Sequence, residues 1–177
     1  MLLDDLYKGT PHRFADWPND DAVPLVSAGV YTIWRDEEFL YVGMAGKKIT
    51  SEHIDSPDEP VKAKGLKERL KSHWNGRRSG DQFCVYVCDR FVVPTLTAPE
   101  RKQIGNATLL LDTMTKKYIH KYLAYRFTPT PDGQTALELE ERIRRGAWPR
   151  GDKPFLNPKQ PKEPSKPSKP RMPKPPG

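Results

Sequence analysis

The last twenty residues, PKQPKEPSKPSKPRMPKPPG, cannot bury a hydrophobic face, which confines any compact fold to residues 1–157. They hold eight of the nineteen prolines, five Lys, one Arg, one Glu and no aliphatic residue beyond Met172. This composition predicts a disordered, partly polyproline-like basic tail over 158–177. Six basic residues against one acidic residue give the tail +5 of the formal +7, so residues 1–157 carry only +2. The pI of about 9.4 therefore overstates how basic the folded part is. The chain of 177 residues fits one domain better than two, and its 36% hydrophobic content is low for a compact fold of that length, as such a tail requires.

No run approaches the ~20 apolar residues that a membrane span requires. The start, MLLDDLYKG, carries acidic residues where a signal peptide is basic, so a soluble cytoplasmic protein is expected. Cys84 and Cys88 are the only cysteines, too few for a disulfide framework. In FCVYVCDRFVV, read as a strand, they share a face but lie too far apart to bridge. A two-cysteine metal site lacks its other ligands, and buried reduced thiols are expected.

Residues 1–27, rich in Asp, Pro and Trp without a clean period, read as a lead-in wrapping the core. GVYTIW and FLYVG then form a β-hairpin. The charged stretch 47–64 reads as a surface loop. GLKERLKSHWNG places Leu66, Leu70 and Trp74 at helical spacing with Gly76 as the stop. QFCVYVCDRFVV reads as a third strand, residues 108–124 as a helix and YRFTPT as a fourth strand. TALELEERIRRG closes the fold as a helix, with Thr135 and Glu138 as a capping box and Gly146 at its end. The order predicts an α/β (α+β) fold with a mixed or antiparallel sheet around a central hairpin, its domain spanning 28–157.

With a hairpin loop of Arg35, Asp36 and Glu37, Tyr31 lies opposite Tyr41 and Gly29 opposite Gly43. Cross-strand aromatic pairs are ordinary in sheets. The glycines are less so, because strand interiors avoid Gly unless a backbone or a ligand approaches closely.

Gly29-Val30-Tyr31 and, nine residues on, Tyr41-Val42-Gly43 resemble the paired signature of the GIY-YIG nuclease family, with Val for Ile in both halves. The resemblance continues in Gly65-Leu66-Lys67-Glu68-Arg69-Leu70, similar to the helix bearing that family's essential arginine. His73 follows one turn later, as in its restriction-enzyme branch. Leu139-Glu140, Ile143 and Pro154-Phe155-Leu156-Asn157 are similar to the family's metal-binding glutamate and P-x-L-N ending. The loop 47–64 and the helix around 108–124 are additions relative to compact members. The resemblance implies a central hairpin flanked by helices and one-metal hydrolysis of DNA phosphodiester bonds. It implies Mg²⁺ or Mn²⁺ held by Glu140 and Arg69 on the scissile phosphate. Tyr31 would handle the attacking water, His73 accept the tyrosine proton, Tyr41 position water or phosphate, and Asn157 support the metal or the DNA backbone.

Helical phase bears on three of these residues independently. With Leu66 at zero, Arg69 lies at about −60° and His73 at about −20°, flanking the buried stripe. A guanidinium there can reach over the sheet and suits phosphate oxygens. On the closing helix Glu140 belongs to the inward stripe, while Glu138 and Glu141 point to solvent. A carboxylate among apolar neighbours calls for a cation or an ion pair with an arginine such as Arg69. Two other classes stay open: a catalytically silent nucleic-acid-binding module of the same fold, and an interaction protein acting through its Pro/Lys tail. Double-strand cleavage by one active site makes a homodimer a further expectation.

Overall fold

The computed structural model describes residues 2–18, 22–58, 61–149 and 151–157; the tail expected over 158–177 lies outside these. In chain order the elements are α1 (Leu2–Lys8), β1 (His12–Arg13), β2 (Val26–Arg35), β3 (Glu38–Ala45), α2 (Ser51–Asp55), β4 (Lys64–Gly65) and α3 (Leu66–Asn75). There follow α4 (Gln82–Val87), α5 (Ala98–Gly105), α6 (Leu111–Tyr122), β5 (Ala124–Thr130) and α7 (Gly133–Arg144). The sheet runs β1-β5-β2-β3 with antiparallel neighbours, and the two-residue β4 adds a parallel pairing to β2. The α+β class expected from the sequence is the class observed. No helix among the described residues is long and apolar enough to cross a membrane.

β2 is the central strand and is buried along nearly its whole length. Its side chains alternate between two cores. On one face Tyr31 and Ile33 meet Leu66 and Leu70 of α3, Phe83, Cys84 and Val87 of α4, and Ile119 of α6. On the other, Val30 and Trp34 meet Leu6 of α1 and Ala136, Leu139 and Ile143 of α7. Helices α3 and α7 therefore pack on opposite faces of one hairpin. The N-terminal segment is tied to the sheet: Thr32 Oγ1 donates to the Leu6 carbonyl at 2.9 Å, and Arg126 Nε to the Gly9 carbonyl at 2.7 Å.

Four sequence readings need correction. The hairpin turns through Asp36 and Glu37 alone, with Asp36 at φ 52°, a conformation Asp tolerates. A bulge between Ile33 and Trp34 then shifts the register, so Tyr31 lies opposite Gly43 and Gly29 opposite Ala45. The 82–93 stretch is helical, not a strand: buried Phe83, Cys84, Val87 and Cys88 recur at helical spacing, and a π-turn over Cys88–Val92 carries the helix on. The cap of α7 is Asp132, whose carboxylate accepts from Thr135 N at 2.7 Å, and the Thr135/Glu138 box is not used. Finally, the loop 47–64 contains α2 and ends in β4, and Thr97 caps an unforeseen helix, α5, in a box with Glu100. Cys84 and Cys88 are buried and free, as expected.

Candidate active site

Gly43 determines how the hairpin presents Tyr31. A Cβ at this position would overlap the Tyr31 hydroxyl and lie 2.6 Å from its ring Cζ, so the phenol can lie across β3 only above a residue without a side chain. Tyr41 sits diagonally beside it, the two ring centroids 6.3 Å apart. The glycine-bared tyrosine pair inferred from the sequence thus exists, built from a different register.

α3 brings His73 to this pair. It starts at Gly65, whose positive φ of 75° and close approach to Ser27 admit no side chain, and it stops at Gly76 in the left-handed region. Leu66 and Leu70 bury the stripe between these ends. His73, one turn on, is 1% exposed. Its Nε2 lies 2.7 Å from the Tyr31 hydroxyl and its Nδ1 2.6 Å from Asp81 Oδ2.

Asp81 is the residue that sequence reading missed. As the cap of α4 it accepts from the Phe83 and Cys84 amides through Oδ1, and through Oδ2 it also accepts from Ser72 Oγ at 3.1 Å. Burial pushes its carboxyl up, but these bonds and the one from His73 outweigh that and hold it below the usual carboxylate range. An ionised acceptor at Oδ2 places the histidine proton on Nδ1, leaving Nε2 to accept from the Tyr31 hydroxyl. Burial lowers the His73 pKa, more strongly than Asp81 raises it, so the imidazole is neutral. The signal available was an Asp directly before an apolar run of period 3.6. Reading 82–93 as a strand concealed it.

Both phenols are held protonated by burial: Tyr31 well above its ordinary value, Tyr41 up to about 12. Arg69 acts on both in the opposite sense, favouring the phenolate, and Glu140 acts with burial. Charges on α3 and on α7, on opposite faces of the hairpin, thus both act on the phenols, each less than burial does. Arg69 is exposed and lines a cleft of about 250 Å³ with Ala45, Gly46, Gly65, Glu68 and Ser72, the last a hydrogen-bond donor to Asp81. Glu140 is 8% exposed. It accepts from Arg144 Nη1 at 3.3 Å, a long contact within its own helix. Burial raises its pKa and Arg144 only partly offsets this.

The alternative reading of Glu140, an ion pair with an arginine, is met by Arg144 of its own helix, and among the described residues Glu140 makes no ion pair with Arg69. Asn157 departs from expectation. Its carboxamide closes on the β3 backbone, Nδ2 donating to the Val42 carbonyl at 3.0 Å and Oδ1 accepting from Val42 N at 2.9 Å. Phe155 N and Leu156 N donate to the carbonyls of Phe39 and Leu40 just before. The P-x-L-N segment thus pairs with the outer edge of β3, and its amide is spent on anchoring rather than available to a metal or a phosphate.

One further group could in principle hold a metal ion: ligand atoms of buried His73, Asp81 and Cys84 lie within 4.8 Å of one another. Burial drives the Cys84 thiol far above its ordinary range, and it donates weakly to the His73 carbonyl at 3.7 Å, so no thiolate is on hand. No family model matches this chain, and no curated protein or solved structure matches it either.

Proposed function

We propose that the protein is a divalent-metal-dependent DNA endonuclease acting through a GIY-YIG-type site. The observation that carries this reading is the buried line from Tyr31 through His73 to Asp81, on whose phenol Arg69 acts electrostatically. A phenol is a poor base by itself, with an ordinary pKa near 10. A neutral imidazole backed by an ionised carboxylate is the usual means of taking its proton. Exposed and basic, Arg69 suits a phosphate at the cleft it lines.

Glu140 fits the metal that the resemblance implies. Its carboxylate is buried beyond what Arg144 offsets, and it offers a hard oxygen ligand. Mg²⁺ and Mn²⁺ are commonly held by one or two carboxylates, with waters and substrate phosphate completing the shell. Bound there, such an ion would supply charge neutralisation to the phosphate and the leaving oxygen.

The chain's own residues account for the remaining steps. Arg69 holds the phosphate. Water attacks phosphorus as its proton passes to the Tyr31 oxygen and the Tyr31 proton passes to His73 Nε2; the P–O bond to the leaving oxygen breaks, and that oxygen is protonated from solvent. Asp81 steadies the imidazolium. Tyr41 orients water or phosphate through its hydroxyl. Two copies acting on opposite strands would give double-strand breaks, and a homodimer belongs to the proposal.

The test is incubation of purified protein with supercoiled, linear and single-stranded DNA in Mg²⁺, Mn²⁺ or EDTA. Cleavage in either metal, absent in EDTA and lost in Tyr31→Phe, is the expected result. A folded protein that cuts none of these DNAs refutes the enzyme reading.

A further inference from the structure

Four aromatic rings form a ladder near the P-x-L-N segment. Phe155 and Phe91 are 6.1 Å apart, Phe91 and Tyr118 5.3 Å with planes 4° apart, and Tyr118 and Tyr122 4.9 Å. The middle rings pack against the α3-side core, whereas the ends are open: Phe155 is 54% and Tyr122 46% exposed. Cations accompany the rings. Arg90 lies 5.9 Å from the Phe155 centroid, Arg35 4.6 Å from that of Phe91 and Lys121 4.9 Å from that of Tyr122. Arg35 is neutralised by Glu38 and donates to the Tyr118 hydroxyl, so it braces the ladder, whereas Arg90 and Lys121 are exposed.

We propose that this ladder is a stacking platform for single-stranded nucleic acid, with bases on Phe155 and Tyr122 and phosphates met by Arg90 and Lys121. An apolar protein partner would have to bury those cations unpaired. Single strands offer both complements at once, a π face for each ring and an anion for each cation, while a duplex hides its base faces. Local charge agrees: α6 carries Lys116, Lys117 and Lys121 against Asp112, and three residues after Phe155 the chain enters its +5 segment. Asp89 is the opposing acid in the cleft of about 340 Å³ that Arg90 and Phe155 line with Tyr86 and Leu156. Through Phe155 N and Leu156 N the platform is fixed to the Phe39 and Leu40 carbonyls of β3, the strand that also carries Tyr41.

The inference stands on binding alone and is tested without cleavage. Full-length protein in EDTA is titrated by fluorescence anisotropy into a labelled oligothymidylate, an abasic strand of the same length and a duplex. The wild type should bind oligothymidylate tighter than the abasic strand by on the order of tenfold per stacked base. Phe155→Ala with Tyr122→Ala should erase that preference and leave duplex affinity unchanged. Arg90→Ala should weaken binding to both single strands and reduce the salt slope. Both rings are exposed, so melts should match wild type, and Phe155→Trp should restore the preference. Equal wild-type affinity for oligothymidylate and abasic strand, or an equal loss on duplex in the double variant, would overturn the platform whatever the outcome of the cleavage assay.

Discussion

Replacing Asp81 by Asn exchanges one oxygen for an NH₂ and isolates the relay from the fold. Asp81 meets hydrogen on both sides: Oδ1 accepts from the Phe83 and Cys84 amides, Oδ2 from His73 Nδ1 and Ser72. Asn has one accepting atom and cannot serve both. With its oxygen toward α4 the cap survives, since Asn caps as well as Asp. Its NH₂ then faces His73 Nδ1, which must accept, moving the imidazole proton to Nε2. That proton points at the Tyr31 oxygen, and the phenol has no acceptor left. Losing general-base assistance is worth about 10²–10⁴ in rate, roughly 3–5 kcal/mol. The fold loses less: charged hydrogen bonds weakened to neutral ones cost about 1–2 kcal/mol, or roughly 2–8 °C in Tm for a chain of this size.

pH adds an independent readout. Burial puts the folded pKa of His73 below its ordinary value of 6.5, and Asp81 pulls it back upward. The neutral, accepting imidazole exists above the folded pKa, so wild-type cleavage should fall as pH drops through it. Stability runs the same way: the unfolded chain binds the proton first on acidification, so the contribution is present above pH 6.5 and lost below. In Asp81→Asn the acid limb should move to lower pH. Single-turnover nicking of supercoiled DNA across roughly pH 5 to 9, with thermal melts alongside, reads all three quantities. A melting, folded Asp81→Asn protein that nicks at the wild-type rate with an unmoved acid limb would refute the relay.

Tyr31→Phe should melt within a few degrees of wild type yet lose cleavage by orders of magnitude, since only a hydroxyl bonded to His73 is removed. Glu140→Gln should abolish metal-dependent cleavage without lowering Tm, because burial already disfavours its charge, whereas Glu141→Gln removes only a surface pair with Arg145 and should be nearly silent in a Mg²⁺ titration. Gly43→Ala should cost about 1–3 kcal/mol by overpacking and displace the phenol, seen as a lower Tm together with lost nicking. Deleting residues 158–177 should flatten the salt dependence of DNA binding and preserve cleavage at low salt; an unchanged slope would exclude the tail from DNA contact.

What was legible in the sequence were features with one physical reading. Gly76 after a Leu66/Leu70 stripe can only end a helix, and Glu140 falls inward from either end of α7. The 82–93 stretch was ambiguous because its alternating and helical periods overlap, Phe83, Cys84, Val87 and Cys88 being apolar under either. Only tertiary packing against α6 and the sheet decides. The hairpin register failed for a related reason: Asp36 accepts a positive φ, so a two-residue turn moves every partner by one, and the bulge moves those from Ile33 back to Gly29 by one more. Side-chain spending is the least legible property. Asn157 has the chemistry of a ligand and the geometry of a strand anchor, and nothing in its neighbours' identity distinguishes the two.

The burial that protects the line also dictates how it must operate. Desolvation raises the Tyr31 phenol and lowers His73, so moving a proton from one to the other in the resting protein opposes both tendencies at once. A free tyrosinate is therefore not an intermediate that this site can accumulate. Transfer is accessible when the two charges are never separated: the phenol receives a proton from water as it gives one to His73, and the new imidazolium sits 2.6 Å from the Asp81 carboxylate. Arg69 contributes at the same end by favouring negative charge on the phenol oxygen, while Glu140 opposes it from α7. Neutralising Glu140 removes that opposition. Under the proposed function, a cation at Glu140 would remove a small addition to what burial already does to the phenol, so the proton relay and the occupancy of Glu140 would be coupled, with burial the larger barrier.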